Sequence, residues 1–156
     1  MIKTVSTDGS TFQEGHALFE TGTPRIAEAI GWGAAVEWLE KLDMKEVHSH
    51  INNIASWTAE RISTIDGITV YGDPTRNDSS GAVSFLHETI QSQDLALLLD
   101  EGGFAVRTGH HCAQPLMDAL GVPSTNRASF WLYNTMEEAE AFVKHLDYVV
   151  GRFSDK

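Results

Sequence analysis

The sequence predicts a single α/β domain in which a mainly antiparallel sheet carries helices on one face, a two-layer sandwich. Three observations predict it. Stretches with apolar residues at helical spacing are interleaved with short β-rich runs, and elements mixed in this way pack as a helix layer on a sheet. The 156 residues are enough for one substantial core and too few for two comfortable ones. A composition of 42% hydrophobic and 21% charged residues is that of a folded globular chain. Residues 1–156 are therefore read as one domain, with 1–18 a connector and 19–156 the compact part.

Residues 1–5 alternate enough for a strand, and residues 7–15 read as a polar, turn-rich connector. After Gly22-Thr23-Pro24, the residues Ile26, Ile30, Ala34, Trp38 and Leu42 recur at helical spacing, with Pro24 suited to the first turn. This helix is rich in Gly and Ala. Glycine costs about 1 kcal/mol of helix propensity relative to alanine, so Gly31 and Gly33 are read as places where another backbone approaches closely. Asp43 and Glu46 have capping-box spacing, and Val47, Ile51, Ile54, Thr58, Ile62 and Ile65 line one face of a second long helix.

Residues 68–71 and 82–86 are short strands expected to pair antiparallel across a polar Asn77-Asp78-Ser79-Ser80-Gly81 loop. Ser92 is placed to cap a helix carrying Leu95, Leu98 and Leu99, which Gly102-Gly103 stops. A strand is expected to start at Gly103 and open into the loop that bears Cys112, followed by a short helix over 114–120. Residues 127–133 set Ala128, Phe130 and Leu132 against Ser129, Trp131 and Tyr133, two large faces that suit a central strand. Thr135 with Glu138 makes a second capping box, opening a last helix with Ala139, Phe142, Val143, Leu146 and Val150 on its apolar face.

The charge balance narrows the partners. With 22 acidic against 11 basic residues the formal net charge is −11, and such a surface repels phosphate backbones, so no nucleic acid is expected. No apolar run approaches the roughly 20 residues that span a bilayer, so no membrane insertion is expected. One cysteine makes no internal disulfide and residues 1–15 are polar rather than leader-like, which points to a cytoplasmic protein.

That cysteine is the chemical centre of the chain. Cys112 sits among Gly109, His110, His111 and Gln114 rather than in an apolar run. The thiolate is the reactive form of cysteine, and positive charge from Arg107, His110 and His111 favours it. A lone cysteine is also often an inert small hydrophobe, and that reading competes. A metal site is not expected: adjacent His110 and His111 point to opposite sides of an extended chain, and no C-x-x-C or H-x-x-x-H spacing is present to recruit His87. Arg127, opening the expected central strand, requires an anion, either a ligand carboxylate or a neighbouring Asp or Glu. Gly22 and Thr23, just before a helix, offer backbone N–H groups and a hydroxyl to a phosphate.

These features, in this order, resemble the C-terminal part of the group II cysteine desulfurases. The resemblance rests on Phe19-Glu20-Thr21-Gly22-Thr23-Pro24, on Ala105-Val106-Arg107-Thr108-Gly109-His110-His111-Cys112-Ala113-Gln114-Pro115-Leu116-Met117, on Arg127-Ala128-Ser129 and on Tyr133-Asn134-Thr135. Those proteins are pyridoxal-phosphate enzymes of the class V aminotransferase family, related to selenocysteine lyases. The resemblance implies the fold of the small C-terminal domain of fold-type I pyridoxal-phosphate enzymes. It implies that Cys112 attacks the sulfur of L-cysteine, leaving a persulfide and releasing L-alanine, and that Arg127 holds the substrate carboxylate. Gly22 and Thr23 would reach the cofactor phosphate of the opposite subunit of a homodimer. Arg107, His110 and His111 would support the loop and its electrostatics, and a sulfur-acceptor protein would pass the sulfur to iron-sulfur cluster assembly.

The departures from the family pattern are Thr21 where Ala is usual, Arg25 where Asn is usual, and Ala17-Leu18 where a His-Arg pair is common. None of Lys3, Lys41, Lys45, Lys144 and Lys156 follows a histidine as the family's cofactor lysine does. The chain is thus expected to be the C-terminal domain of a longer desulfurase, without covalently bound cofactor and inactive alone. Two other readings stay open: a non-catalytic interaction module of the same fold that binds a sulfur-acceptor partner, and a small thiol-redox protein working through Cys112 without a resolving cysteine.

Overall fold

A computed structural model describes residues 1–73 and 80–154. Residues 77–79 of the expected polar loop lie outside the described residues. The chain gathers into two compact units, Met1–Asp43 and Met44–Lys156.

In the first unit, β1 (Ile2–Ser6) and β2 (Gly9–Phe12) form an antiparallel hairpin turned at Thr7-Asp8, with Ser6 paired to Gly9. The stretch expected as a connector therefore contains a strand. Every residue of both strands is exposed, so β2 lacks the in-out alternation by which a strand announces itself in sequence. A 3-10 turn (Gly15–Leu18) leads to α1 (Ile26–Leu39), whose N-cap is Arg25, so that Pro24 precedes the helix rather than opening it. No residue of α1 is buried, and Ile30 and Trp32 are 70% and 75% exposed. Its apolar residues surround the helix instead of forming one stripe.

The second unit holds the core. It contains α2 (Met44–Ile62), β3 (Ile68–Tyr71), β4 (Ala82–His87), α3 (Ser92–Glu101), β5 (Arg107–Gly109), α4 (Gln114–Leu120), β6 (Thr125–Ser129) and α5 (Met136–Ser154). The four strands form one sheet in the order β3-β4-β6-β5, antiparallel throughout, as the α/β reading requires. β3 and β4 pair as expected, and β6 is internal. On β4, Val83, Phe85 and His87 are buried while Ala82, Ser84 and Leu86 are half-buried, so one face of the sheet meets the core. Ile54, Ala55 and Ile62 of α2, Leu95 and Leu99 of α3, and Leu146 of α5 are each at most 1% exposed. α2, α3 and α5 thus cover a single face. Phe142 meets Phe85 and Phe104 edge-on, at centroid distances of 6.2 and 5.8 Å.

Three local expectations need correction. The strand expected at 127–133 runs instead over Thr125–Ser129, and Trp131 and Tyr133 lie beyond it, exposed. The ladder with β5 ends at Arg127 and that with β4 at Ser129, and Asn134 closes the following turn by accepting the Trp131 N–H at 2.8 Å. The strand expected from Gly103 begins only at Arg107, because the Gly103 and Phe104 N–H groups are spent on the carbonyls of Asp100 and Leu99 at the end of α3. Ser92 does not cap α3. It is the first helical residue, 6% exposed, and its hydroxyl meets that of Ser124 at 2.5 Å. The capping box of α5 forms as read: Thr135 Oγ1 accepts the Glu138 N–H at 3.2 Å, and Glu138 Oε2 accepts the Thr135 N–H at 3.0 Å.

Candidate active site

The sheet sets the frame of the site. β5 and β6 pair with Arg107 opposite Arg127, Thr108 opposite Asn126 and Gly109 opposite Thr125. Because side chains alternate, Asn126 and Ala128 face the core, while Thr125, Arg127 and Arg107 share the opposite face. Ser84 of β4, paired with Arg127, stands on that same face.

Gly109, at φ +115°, ends β5 and turns the chain. His111 and Cys112 then both take left-handed conformations, φ 56° and 58°, and the Ala113 N–H closes the turn on the His110 carbonyl at 2.9 Å. Two consecutive non-glycine residues in that region are rare and held at a cost. The segment 110–112 is therefore a turn, and the extended-chain argument that separated His110 from His111 does not describe it. Cys112 is exposed. It is therefore not the buried small hydrophobe of the competing reading.

Arg107 reaches across the turn, its Nη2 lying 3.6 Å from Cys112 Sγ. His111 is anchored from its Nε2 to both the carbonyl and the hydroxyl oxygen of Thr125, each at 3.0 Å. Burial lowers its pKa below the usual histidine value, opposed by the bond to the Thr125 backbone and reinforced by the charges of Arg127, Arg107 and His110. Its Nδ1 is buried and has no hydrogen-bond partner among the described residues. His110 is exposed and contributes its backbone carbonyl to the turn.

Arg127 is half-buried and donates from Nε to Ser129 Oγ at 3.2 Å. Among the described residues no carboxylate lies within ion-pair distance of either Arg127 or Arg107, so no internal Asp or Glu there serves as the anion that Arg127 requires. Beside Arg127 lies a cavity of about 340 Å3, bordered by Ser84, His111 and Thr125 and by Leu116, Met117 and Leu120 of α4. Cys112, Arg107, His111 and Arg127 are thus brought together in one unit.

Gly22 and Thr23 belong to the other unit. There they line a cavity of about 420 Å3 with Glu20, Thr21, Pro24 and Arg25. Gly22 has φ +82°, and the side chain of the N-cap residue Arg25 does not cap α1. The Thr23 hydroxyl and the backbone N–H groups at the start of α1 make a donor set that suits an anionic group such as a phosphate, while the Arg25 guanidinium lies 4.0 Å from the Glu28 carboxylate.

Two supporting contacts were not legible in the sequence. Thr125, the anchor of His111, is fourteen positions away and carries no local signal. Ser129, the partner of Arg127, reads as an ordinary outward strand position. His87, considered above as a metal ligand, is buried, and its Nδ1 accepts the N–H groups of Thr89 and Ile90 at 3.1 Å each.

Residues 1–142 match the family described as Aminotransferase class-V. The chain belongs to the class-V aminotransferases. Within that family it is 46% identical over 147 residues to a probable cysteine desulfurase of Halalkalibacterium halodurans, covering 94% of this chain and 36% of the relative. It is 40% identical over 147 residues to a cysteine desulfurase of Haloferax volcanii, covering 94% of this chain and 34% of that protein. The fold superimposes on the crystal structure of the cysteine desulfurase CsdA, in an S-sulfonic acid form, from Escherichia coli. That match has a TM-score of 0.80 and 35% identity, over 97% of this chain and 37% of the other. The chain thus spans about a third of the length of the curated relatives it matches. The relatives named here are thus described as cysteine desulfurases. Among the described residues no helix is long and apolar enough to cross a membrane.

Proposed function

We propose that this chain is the sulfur-accepting, C-terminal part of a cytoplasmic, homodimeric cysteine desulfurase. The observation that carries the proposal is the pairing of an exposed Cys112, in contact with Arg107, with an Arg127 on the same sheet side that has no carboxylate partner among the described residues. A pure binding module requires neither group at those places.

In this reading Arg127 binds the carboxylate of L-cysteine and orients the substrate sulfur toward Cys112. The Cys112 thiolate attacks that sulfur. A sulfur–sulfur bond forms as the substrate carbon–sulfur bond breaks, the carbon takes up a proton, and L-alanine leaves with Cys112 as a persulfide. Arg107 holds positive charge against the reacting sulfur, and His110 and His111 support the turn. Pyridoxal phosphate, when bound, supplies the electron sink for breaking the carbon–sulfur bond. Gly22, Thr23 and the start of α1 hold its phosphate across the subunit interface. The persulfide sulfur passes to an acceptor protein and on to iron-sulfur cluster assembly. No lysine of this chain stands in the context that anchors the cofactor, so the chain alone is inactive.

The test replaces the matching segment of the Halalkalibacterium halodurans relative with residues 1–156. The chimera is expected to form L-alanine from L-cysteine and to gain one sulfur on Cys112 by mass spectrometry, with Cys112→Ser abolishing both. Alanine formation that survives Cys112→Ser overturns the assignment. L-Alanine produced by the isolated chain with pyridoxal phosphate and L-cysteine overturns its inactivity.

A further inference from the structure

We infer that His111 is a positioning residue, whose imidazole, donating from Nε2 to the Thr125 carbonyl, holds the turn that presents Cys112 against the strand that carries Arg127. The inference rests on the reading of Cys112 as the nucleophile. Its starting point is conformational: His111 and Cys112 sit at φ 56° and 58°, which L residues leave readily unless something outside the turn holds them. The turn's own hydrogen bond, Ala113 N–H to His110 O, is a single contact. From outside the turn, Arg107 of β5 approaches Cys112 Sγ at 3.6 Å, and the His111 ring adds a shorter contact, at 3.0 Å, to a residue fourteen positions away on β6.

The direction of that bond follows from the two ring nitrogens. Nε2 faces a backbone carbonyl, which only accepts, and a hydroxyl, which accepts as well as donates, so a proton on Nε2 satisfies both contacts whereas a bare Nε2 would set its lone pair against the carbonyl. Nδ1 is buried and has no partner among the described residues, so a proton there would be a buried donor with no acceptor among them. Both observations select one neutral tautomer, and the lowered pKa of the ring agrees with it. Thr125 is 1% exposed, hydrogen-bonded within an internal strand, and two residues from Arg127 on the same sheet face. One rigid strand therefore carries the guanidinium directly and the thiol through His111. Fixing both groups to one element sets the distance between nucleophile and substrate clamp, which in positioned reactions matters at the ångström scale.

Long-range 1H–15N correlation on the chain of residues 1–156 reads the tautomer directly. The proton is expected on Nε2 of His111, and the Nδ1–H tautomer overturns the inference whatever any variant does. Glutamine places an amide nitrogen close to the Nε2 position, and asparagine falls short of it. Exchange of the Ala113 amide reports opening of the turn. It is expected to quicken about fivefold in His111→Asn and to return to within about twofold of the original in His111→Gln. Equal exchange in all three chains, or no recovery with glutamine, overturns the role. If His111→Asn does not fold, the tautomer and the His111→Gln exchange rate still decide. None of these readouts needs sulfur transfer, so they fail or stand independently of the chimera test.

Discussion

Arg107 and Arg127 lie directly opposite one another on neighbouring antiparallel strands, on the sheet face turned away from the core. Like charges in that arrangement repel, and among the described residues no carboxylate sits between them. A chain with a formal net charge of −11 has acidic residues to spare for neutralising such a pair. In the proposed reaction one of the two guanidiniums stands at the thiol and the other takes the substrate carboxylate.

Repulsion at a cross-strand site carries a stability cost. Arg107→Gln is expected to stabilise the isolated chain by about 0.5 kcal/mol, read as a higher urea midpoint, while lowering the rate of sulfur transfer in the chimera. A lower midpoint contradicts the repulsion.

Lysine cannot make the forked contact to a carboxylate that arginine makes. Arg127→Lys in the chimera is expected to reduce kcat/KM for L-cysteine by about 2 kcal/mol, roughly thirtyfold, with the fold unchanged by circular dichroism. Unchanged steady-state kinetics would remove Arg127 from the substrate site.

The pH dependence of stability follows from His111. Burial first, then the charges of Arg127 on β6, Arg107 on β5 and the adjacent His110, lower its pKa in the folded chain below the unfolded value of about 6.5. Above that pH the ring is neutral in both states and its contribution is complete. As pH falls below it the unfolded chain takes up a proton that the folded chain resists, and stability declines. The fall in urea midpoint between about pH 7.5 and pH 5.5 is therefore expected to be smaller in His111→Gln than in the original chain.

At the end of α3, a Cβ on Gly102 would run into the ring of His145. That ring has little room to move, since it lies against Phe104 and Tyr148 and its Nε2 meets the Leu98 carbonyl at 3.3 Å. Gly102 itself has an ordinary φ of −84°, so the penalty is steric. Gly102→Ala is expected to cost about 1–3 kcal/mol, and the double variant Gly102→Ala/His145→Ala to cost less than the sum of the two singles. Additive losses would place the strain elsewhere.

The sequence by itself determined the elements that rest on local pattern. Apolar spacing marked α2, α3 and α5 with most of their buried residues, Thr135 and Glu138 formed the capping box that their spacing announced, and the residues around Cys112 carried the family resemblance. Where both faces of an element meet solvent, as in β2, no alternation exists to be read. Tertiary structure decided where the strands end, because a ladder stops where its partner stops: β6 ends at Ser129 although Phe130, Trp131 and Leu132 continue a β-like pattern. It alone put Arg107 opposite Arg127, since register is a relation between strands and not a property of either. It alone tied His111 to Thr125, a hydrogen bond between residues that share no local motif. The sequence singled out Cys112 as the candidate thiol, but the left-handed turn that exposes it is hydrogen-bonded to a strand residue fourteen positions away, and long-range contacts of that kind leave no local trace.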